Sequence, residues 1–416
     1  MINLAAGTYS ASSNGETLPL TIDIKLTIAG ASAATTIIDG TNHYQVMGIF
    51  ANPVNLSNVT IAHGNSAWGD GGGIINYGMI IATNCIFSDN FTDMSGAGVE
   101  NNGVLSVSGS TFSGNDAGID GGGIKSAGVL TITSTTFTDN GTDEHGGGIN
   151  NAGTLAIANS TFSGNFGPVG GGIYGTGTIA NSTIISTTAV DGGGVYGQGT
   201  ITDSTIISNT AVDGGGGLFE NGTETIVNST ISSNSSNIDG GGIYNNSGTT
   251  SLFNVTLTSN TANPDGSGAA VGGGVANASG ATFNFKDSII ARNYNILVVN
   301  NTSILNLEDC SGTINSQGYN IVSTTSDCTI NGSVTLADPK LGSLQNNGGP
   351  TFTHALLTGS PAIDMGNPSG CTDNLNAILN TDQRGFQRPW PSGGRCDIGA
   401  YEYSPTPNLF LPFIKK

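Results

Sequence analysis

The chain has 416 residues, of which 66 are glycine, while charged residues make up 9% and aromatic residues 6%. Hydrophobic residues make up 36%, which is enough to build a buried core, so the composition excludes a disordered chain. It also excludes collagen, which needs glycine at every third position. The net charge of −19 argues against binding to nucleic acid or anionic membranes, because both are bound through clustered cations. No apolar run is long enough to span a bilayer, so we predict no membrane insertion.

A glycine cluster followed by an aliphatic residue recurs along the chain. Internal repeats of this kind are typical of solenoid proteins. Three short strands and three turns fill about 22 to 25 residues, which is one rung of a parallel β-helix. The intervals between the aliphatic residues are 25, 25, 25, 24, 22, 23, 25 and 32, and these residues are Ile74, Val99, Ile124, Ile149, Ile173, Val195, Leu218, Ile243 and Val275.

A second signature lies near the middle of each unit, where an apolar residue precedes an asparagine by three positions, as Phe87 precedes Asn90. We expect these asparagines to stack inside the tube, because an amide can donate to one neighbouring rung and accept from the other. One unit carries Thr187 instead. The predicted ladder comprises Asn90, Asn115, Asn140, Asn165, Asn209, Asn234 and Asn260.

The segments between the signatures alternate polar and apolar residues, as half-buried strands do, and no unit contains a long helical pattern. The predicted fold is therefore all-β: a right-handed, single-stranded parallel β-helix similar to the pectate lyase solenoid. Capping coils and a C-terminal module with disulfides complete it. The predicted divisions are N-terminal capping coils at 1–65, β-helix repeats at 66–300, C-terminal coils and a module at 301–404, and a Pro-containing spacer with a short tail at 405–416.

Four of the five cysteines form two local pairs, Cys310 with Cys328 and Cys371 with Cys396. Both pairs are predicted disulfides, with reduced thiols as the alternative, and disulfides indicate an oxidising compartment. We therefore predict an extracellular or cell-surface location. No signal peptide is visible after Met1, which indicates either a processed chain or a lost export signal. The tail at 405–416 is expected either to dock as a last strand or to act as an export or attachment signal. The fifth cysteine, Cys85, lies in a repeat and is expected to be a small buried thiol.

Two resemblances cover nearly the whole chain. The alternation of Gly-Gly-Gly-Ile with Phe-x-x-Asn resembles the repeats of chlamydial polymorphic outer membrane proteins and related bacterial surface β-helices. The C-terminal motifs resemble the choice-of-anchor Q domain of secreted bacterial proteins, which implies a right-handed β-helix at the bacterial surface. These motifs are Asp338-Pro339-Lys340-Leu341-Gly342, Asn347-Gly348-Gly349-Pro350-Thr351, Gly359-Ser360-Pro361-Ala362-Ile363-Asp364, Asp382-Gln383-Arg384-Gly385 and Cys396-Asp397-Ile398-Gly399-Ala400-Tyr401-Glu402.

Aspartates precede several of the glycine clusters. Asp191, Asp213 and Asp239 fall in successive units and are expected to stack about 5 Å apart, where a column of carboxylates could bind Ca²⁺. The alternative is that each aspartate is a turn residue that accepts backbone N–H bonds. No other cofactor is predicted. The four histidines show no metal-ligand spacing apart from Asp143-Glu144-His145 on one loop, which is a weak exception and is expected to form a solvated turn.

Catalysis finds little support in the sequence. Within the repeats the cations are Lys125, Lys286 and Arg292, which are too few for a lyase. Pairs such as Ser182-Thr183 are expected to form hydroxyl ladders on the outer faces, although strand propensity explains the same threonines.

These observations favour a non-enzymatic structural or adhesive protein that is extracellular or bound to the cell surface and possesses the faces needed to assemble end to end. Its expected partners are cell-surface components, glycans or other copies of itself. The alternative is a carbohydrate-active enzyme or a glycan-binding module. Three or more carboxylates that converge with a cation in one groove would favour that alternative.

Overall fold

The computed structural model describes residues 1–11, 17–67, 69–264, 266, 270–299 and 302–404. Its elements are β-strands, which stack in parallel from rung to rung, so the predicted all-β parallel solenoid is confirmed. The predicted spacer and tail at 405–416 lie outside the described residues. The parallel strands continue beyond residue 300, as far as Leu336.

The largest sheet has 21 strands and receives two strands, or one long strand, from each complete rung. Valine, isoleucine and leucine alternate with polar residues in most of its strands, which fits one buried and one solvated face. Its strands are Ile2–Leu4, Leu20–Ile22, Leu26–Gly30, Met47–Ile49, Val54–Ser57, Ile74–Asn76, Met79–Thr83, Val99–Asn101, Val104–Ser108, Ile124–Ser126, Val129–Thr133, Ile149–Asn151, Thr154–Ala158, Ile173–Ala180, Val195–Thr202, Leu218–Val227, Ile243–Phe253, Val275–Asn277, Thr282–Lys286, Cys310–Ser316 and Cys328–Asn331.

The second sheet has 14 parallel strands and carries the Phe-x-x-Asn signature. Its middle strands each bury one apolar side chain, such as Phe87 in Ile86–Ser88, and most of them are followed by the corner asparagine, such as Asn90. Its strands are Gly7–Ser10, Thr36–Asp39, Thr60–Ala62, Ile86–Ser88, Thr111–Ser113, Thr136–Thr138, Thr161–Ser163, Thr183–Ile185, Thr205–Ile207, Thr230–Ser232, Thr256–Thr258, Ile289–Ala291, Ile321–Val322 and Thr335–Leu336.

The third face consists of a four-stranded and a six-stranded sheet, and its last two strands form an antiparallel hairpin. A separate two-stranded antiparallel sheet, Leu341–Gln345 with Thr353–Leu356, follows the solenoid. The strands of the third face are Asn65–Ser66, Phe91–Thr92, Asp116–Ala117, Gly141–Thr142, Thr188–Asp191, Thr210–Gly214, Ser235–Ser236, Thr261–Ala262, Tyr294–Val299 and Thr302–Leu307.

The core consists of columns of identical or similar side chains. Phe87, Phe112, Phe137 and Phe162 are fully buried, and their rings stack with centroids 4.4 to 4.7 Å apart. Offset stacking and apolar burial therefore both stabilise the regular rungs.

The glycine clusters form a corner that leaves no room for a side chain. Gly121 has a φ of +64°, which disfavours residues with a Cβ. A Cβ on Gly123 would lie 2.5 Å from the carbonyl oxygen of Gly148 in the next rung. Close approach of neighbouring backbones thus explains why glycine recurs at this point of each rung.

The C-terminal residues 341–404 lie along the outer face of the second sheet. Thr205 donates from Oγ1 to the carbonyl oxygen of Phe352 (2.7 Å), and Thr230 donates to Oε1 of Gln383 (2.6 Å). Both threonines are fully buried as a result. The module therefore covers the side of the solenoid at these rungs.

Two buried ion pairs stabilise this module, Asp382 with Arg384 (2.6 Å) and Arg388 with Glu402 (3.0 Å). Arg388 also donates to Oδ1 of Asn228 in the solenoid (3.2 Å). Removing one partner of a buried pair leaves an uncompensated charge, so these residues contribute to the docking of the module.

Both predicted disulfides are confirmed, Cys310–Cys328 and Cys371–Cys396. The first joins two adjacent parallel strands at the last rungs of the large sheet, and the second lies within the C-terminal module. Cys85 is buried and free.

Candidate functional site

The structure places the seven predicted asparagines in one internal column at the corner after the second sheet, and each is buried. Where asparagines follow one another, Nδ2 of one donates to Oδ1 of the next at 2.8 to 2.9 Å. Thr187 interrupts the column but still donates to Asn209 Oδ1 (2.7 Å). The ladder continues through Asn293 to Asp309, whose carboxylate accepts from Asn293 (3.0 Å). This column is structural, because its polar atoms are used within the ladder.

The three aspartates expected to bind Ca²⁺ do not share one register. Asp191 pairs with Gly214, and Gly214 pairs with Asp239, so Asp213 lies one residue away from the column. The fourth glycine of the cluster at 214–217 causes this shift. Asp239 Oδ1 accepts the backbone N–H of Val271 (3.2 Å), as the turn interpretation expects. Within the described residues these aspartates do not form a compact group of metal ligands.

The serines expected on the outer faces lie inside the tube instead. Ser160, Ser182 and Ser204 are 1 to 2% exposed, and their hydroxyls accept backbone N–H groups of the preceding rung. Each hydroxyl also donates to a carbonyl two residues earlier in its own rung. The backbone N–H and C=O groups at this corner need hydrogen-bond partners inside the tube. This requirement outweighs the alternation of polar and apolar residues, which would place the serines on the outer face. The predicted serine face is therefore absent from this part of the chain.

A cleft opens where two rungs are shorter than their neighbours. In the large sheet, Ile149 pairs with Ile173 and Ile157 pairs with Ile179. The two paired residues are eight positions apart in the first rung but six positions apart in the next, so the second rung is shorter. The following rung is equally short, since Ile173 and Ile179 pair with Val195 and Ile201.

The next rung returns to the longer form. Val195 and Ile201 pair with Leu218 and Ile226, which are again eight positions apart. Two short rungs therefore lie between longer rungs. Two rungs extend about 10 Å along the solenoid axis, and this distance is the width of the cleft.

The cleft has a volume of about 470 Å³, and the residues that line it are uncharged. Gly175 and Gly197 lie paired within it, where longer rungs carry the side chain of an asparagine. The remaining described residues that line it are Asn151, Ala152, Tyr174, Thr176, Tyr196, Gln198 and Asn221. Amide, hydroxyl and phenol groups provide donors and acceptors without net charge. Such a lining suits a neutral ligand rich in hydroxyl groups.

An aromatic column runs along one wall of the cleft. Tyr174, Tyr196 and Phe219 stack with centroids 5.3 and 4.7 Å apart, and Tyr244 follows edge-on at 5.0 Å. The phenol of Tyr196 accepts a hydrogen bond from the Asn221 amide. Tyr174 and Tyr196 line the cleft, and the stacking of their rings on each other and on Phe219 fixes their positions.

A charged cluster adjoins the cleft through His145, whose ring centroid lies 4.7 Å from that of Tyr174. Nδ1 of His145 lies 2.9 Å from Oδ1 of Asp120, and Lys125 donates to the other Asp120 oxygen at 2.6 Å. Oε2 of Glu144 is 3.8 Å from His145 Nδ1. The predicted solvated turn is thus part of a charged cluster, in which Glu144 and His145 of one rung contact or approach Asp120 of the preceding rung.

Glu100 adds a buried carboxyl beside this cluster, since it pairs in register with Lys125. It is 6% exposed, and its Oε2 atom has no hydrogen-bond partner. Burial raises the pKa of Glu100 to about 7, with a further rise from Asp70 that Lys125 opposes. A carboxyl group with this pKa can hold or release a proton near neutral pH.

Asp120, Glu144 and His145 are also the one group of three or more histidine, cysteine, aspartate or glutamate side chains in the described residues whose ligand atoms lie within 4.8 Å of one another, close enough to hold a metal ion. Asp120 is already paired with Lys125, however, so a side-chain cation supplies positive charge there. The arrangement therefore fits an ion-pair network better than a metal centre.

Sequence reasoning missed the cleft residues and Glu100. Two signals point to the cleft: the shorter intervals of 24, 22 and 23 residues and the repeated Tyr-Gly-x-Gly at Tyr174 and Tyr196. The charged cluster has no such signal, because Asp120 and His145 are different residue types at one register position.

Comparison with known proteins gives no family assignment: no protein-family model and no curated protein matches the chain. The choice-of-anchor Q and polymorphic outer membrane protein resemblances therefore remain predictions. Within the described residues, no helix has the length and apolar character needed to cross a membrane.

Proposed function

We propose that this protein is a secreted or cell-surface β-solenoid, structural or adhesive in role, which binds a neutral glycan in the cleft of its two short rungs. The observation that carries the proposal is the uncharged lining of that cleft, in which Tyr174, Thr176, Tyr196 and Gln198 present hydrogen-bonding groups. Glycan hydroxyls require this mixture of donors and acceptors.

An extracellular setting is supported by the two disulfides and by the low cation content. The covalent bonds stabilise the last rungs and the C-terminal module, which suits a protein that has to persist outside a cell. A bacterial source, the choice-of-anchor Q assignment and end-to-end assembly belong to the same proposal, on the basis of the sequence motifs.

The proposal is tested on a glycan array, followed by calorimetric titration with the glycan that is retained most strongly. Gln198→Ala and Tyr174→Ala should each weaken binding by about tenfold, as expected for the loss of one central contact. The matched control is Tyr77→Ala, which removes an exposed tyrosine that stacks on Phe50 away from the cleft. Unchanged affinity in both cleft variants, or an equal loss in the control, would contradict the assignment.

A second candidate, cleavage of a polysaccharide, is favoured by the charged cluster. Glu100, Asp120 and Glu144 supply three carboxyl groups, and Lys125 and His145 lie among them. In a glycoside hydrolase, one carboxyl group with a raised pKa protonates the leaving oxygen. A second carboxylate either activates a water molecule or attacks the sugar carbon as a nucleophile. New reducing ends in polysaccharide incubated with the wild type, lost in Glu100→Gln, would establish this function in place of simple binding.

A further inference from the structure

Two glutamates lie inside the solenoid on the strand Leu218–Val227. Glu220 is 1% exposed and Glu224 is 3% exposed. Oε2 of Glu220 and Oε1 of Glu224 have no hydrogen-bond partner in the protein. None of the ion pairs of the described residues includes either glutamate. Two carboxyl groups in this position need a counter-charge or protons, because burying an uncompensated charge is strongly unfavourable.

The next rung places two more unpartnered oxygens beside them. Asn245 pairs in register with Glu220, and Thr250 pairs with Glu224. Both are fully buried, and neither Asn245 Oδ1 nor Thr250 Oγ1 has a hydrogen-bond partner. Four buried oxygen-bearing side chains therefore lie together on two adjacent rungs.

The orientation of Asn245 shows that its oxygen faces the glutamates. Its Nδ2 donates forward to Asn277 Oδ1 (2.7 Å) and to the carbonyl oxygen of Thr282 (2.9 Å). In the regular part of this inner ladder, Asn76 donates in the same direction to Asn101 Oδ1 (2.7 Å). In the rung before Asn245 the paired residue is Glu220, which has no amide group that could donate to Asn245 Oδ1.

The preceding rung offers no side-chain partner to the carboxyl groups. Gly197 and Gly199 pair with Glu220 and Glu224, and Gly175 and Gly177 pair with those glycines in turn. A regular rung carries the asparagine side chain of Asn151 at the first of these positions. No side chain of the preceding rung therefore stands opposite either glutamate.

We propose that Glu220 and Glu224, with Asn245 Oδ1 and Thr250 Oγ1, bind one Ca²⁺ ion in the interior of the solenoid. Calcium prefers carboxylate, amide and hydroxyl oxygens, and its charge equals that of the two carboxylates. The ion supplies the positive partner that the oxygens lack. This site differs from the surface column of Asp191 and Asp239, and its argument does not rest on the proposed glycan binding.

Without a cation, burial raises the pKa of both carboxyl groups well above the ordinary glutamate value, and the charge of Glu224 adds to the rise at Glu220. The bound ion therefore has to displace protons from the two carboxyl groups. Asn221, next to Glu220, lines the cleft, so the ion would also fix one rim of the cleft.

The test uses the full chain after dialysis against EDTA, with CaCl₂ as the titrant in calorimetry and in thermal unfolding. Wild type should bind one Ca²⁺ per chain, and its melting temperature should rise with the calcium concentration. The double variant Glu220→Gln/Glu224→Gln should lose both effects. It should also melt at or above the temperature of calcium-free wild type, because it carries no buried charge, and this result separates loss of the site from loss of the fold.

The matched control is Asp191→Asn/Asp239→Asn, which removes two surface carboxylates and should retain the bound ion. No calcium binding by wild type at millimolar concentration would overturn the proposal, since the carboxyl groups would then be held by protons or water. Binding that survives in the glutamate double variant, or is lost in the aspartate control, would overturn it equally.

Discussion

The regular rungs between Ile74 and Phe162 and the two short rungs after Ile173 follow different rules. The regular rungs repeat every 25 residues, with a phenylalanine column, an asparagine ladder and a corner between two strands of the large sheet. In the short rungs those two strands merge into single strands, Ile173–Ala180 and Val195–Thr202. Glycine replaces the inner asparagine there. The cleft lies where the repeat departs from its own pattern, so the proposed binding site and the most regular part of the core lie at different points along the axis.

The largest difference between the two regions is expected in core packing. Phe112→Ala removes a ring buried between Phe87 and Phe137 and should lower the free energy of unfolding by about 3 to 5 kcal/mol. Tyr174→Ala, in the short rungs, removes a partly exposed ring and should have a smaller effect. Urea unfolding followed by circular dichroism compares them. A greater loss in Tyr174→Ala than in Phe112→Ala would contradict the distinction.

A smaller effect is expected at the glycine corner of the regular rungs. In Gly123→Ala the new methyl group would lie 2.5 Å from the Gly148 carbonyl oxygen, so neighbouring rungs must move apart. We expect a loss of about 1 to 3 kcal/mol, as for other overpacked sites.

The control for this corner is Gly342→Ala, whose methyl group would meet its nearest atom at an ordinary 3.4 Å. Its unfolding midpoint in urea should match that of wild type closely. Equal midpoints for the two alanine variants would show that close backbone approach does not explain the recurring glycines.

A further expected effect depends on pH and concerns Glu100. Its pKa is raised from 4.5 to about 7 in the folded protein, so the folded state binds this proton more tightly than the unfolded chain. The resulting stabilisation is present below pH 4.5 and is lost as the pH rises to 7. Glu100→Gln should therefore match wild type near pH 4 and be more stable at pH 8. A stability difference that does not change with pH would contradict the raised pKa.

The sequence predicts those features of the fold that recur in every rung. Phe112 and Asn115 stack on their counterparts 25 residues away, so the period alone places them in columns. The charged cluster could not be predicted, because Asp120 meets His145 only through the exact pairing of rungs with different residues. Asp213 was expected to stack on Asp191, but one additional glycine in its rung moves it out of that column, because Asp191 pairs with Gly214 instead. Glu220 was missed because an acidic residue in a strand is ordinarily expected to face solvent.

The glycan-binding cleft is tested most directly by a crystal structure of the protein with the oligosaccharide that it binds most tightly. We predict a sugar unit above Gly175 and Gly197, with its hydroxyl groups hydrogen-bonded to Gln198 and to the phenols of Tyr174 and Tyr196. An oligosaccharide bound elsewhere on the solenoid, with the cleft between the longer rungs empty, would contradict the proposed function.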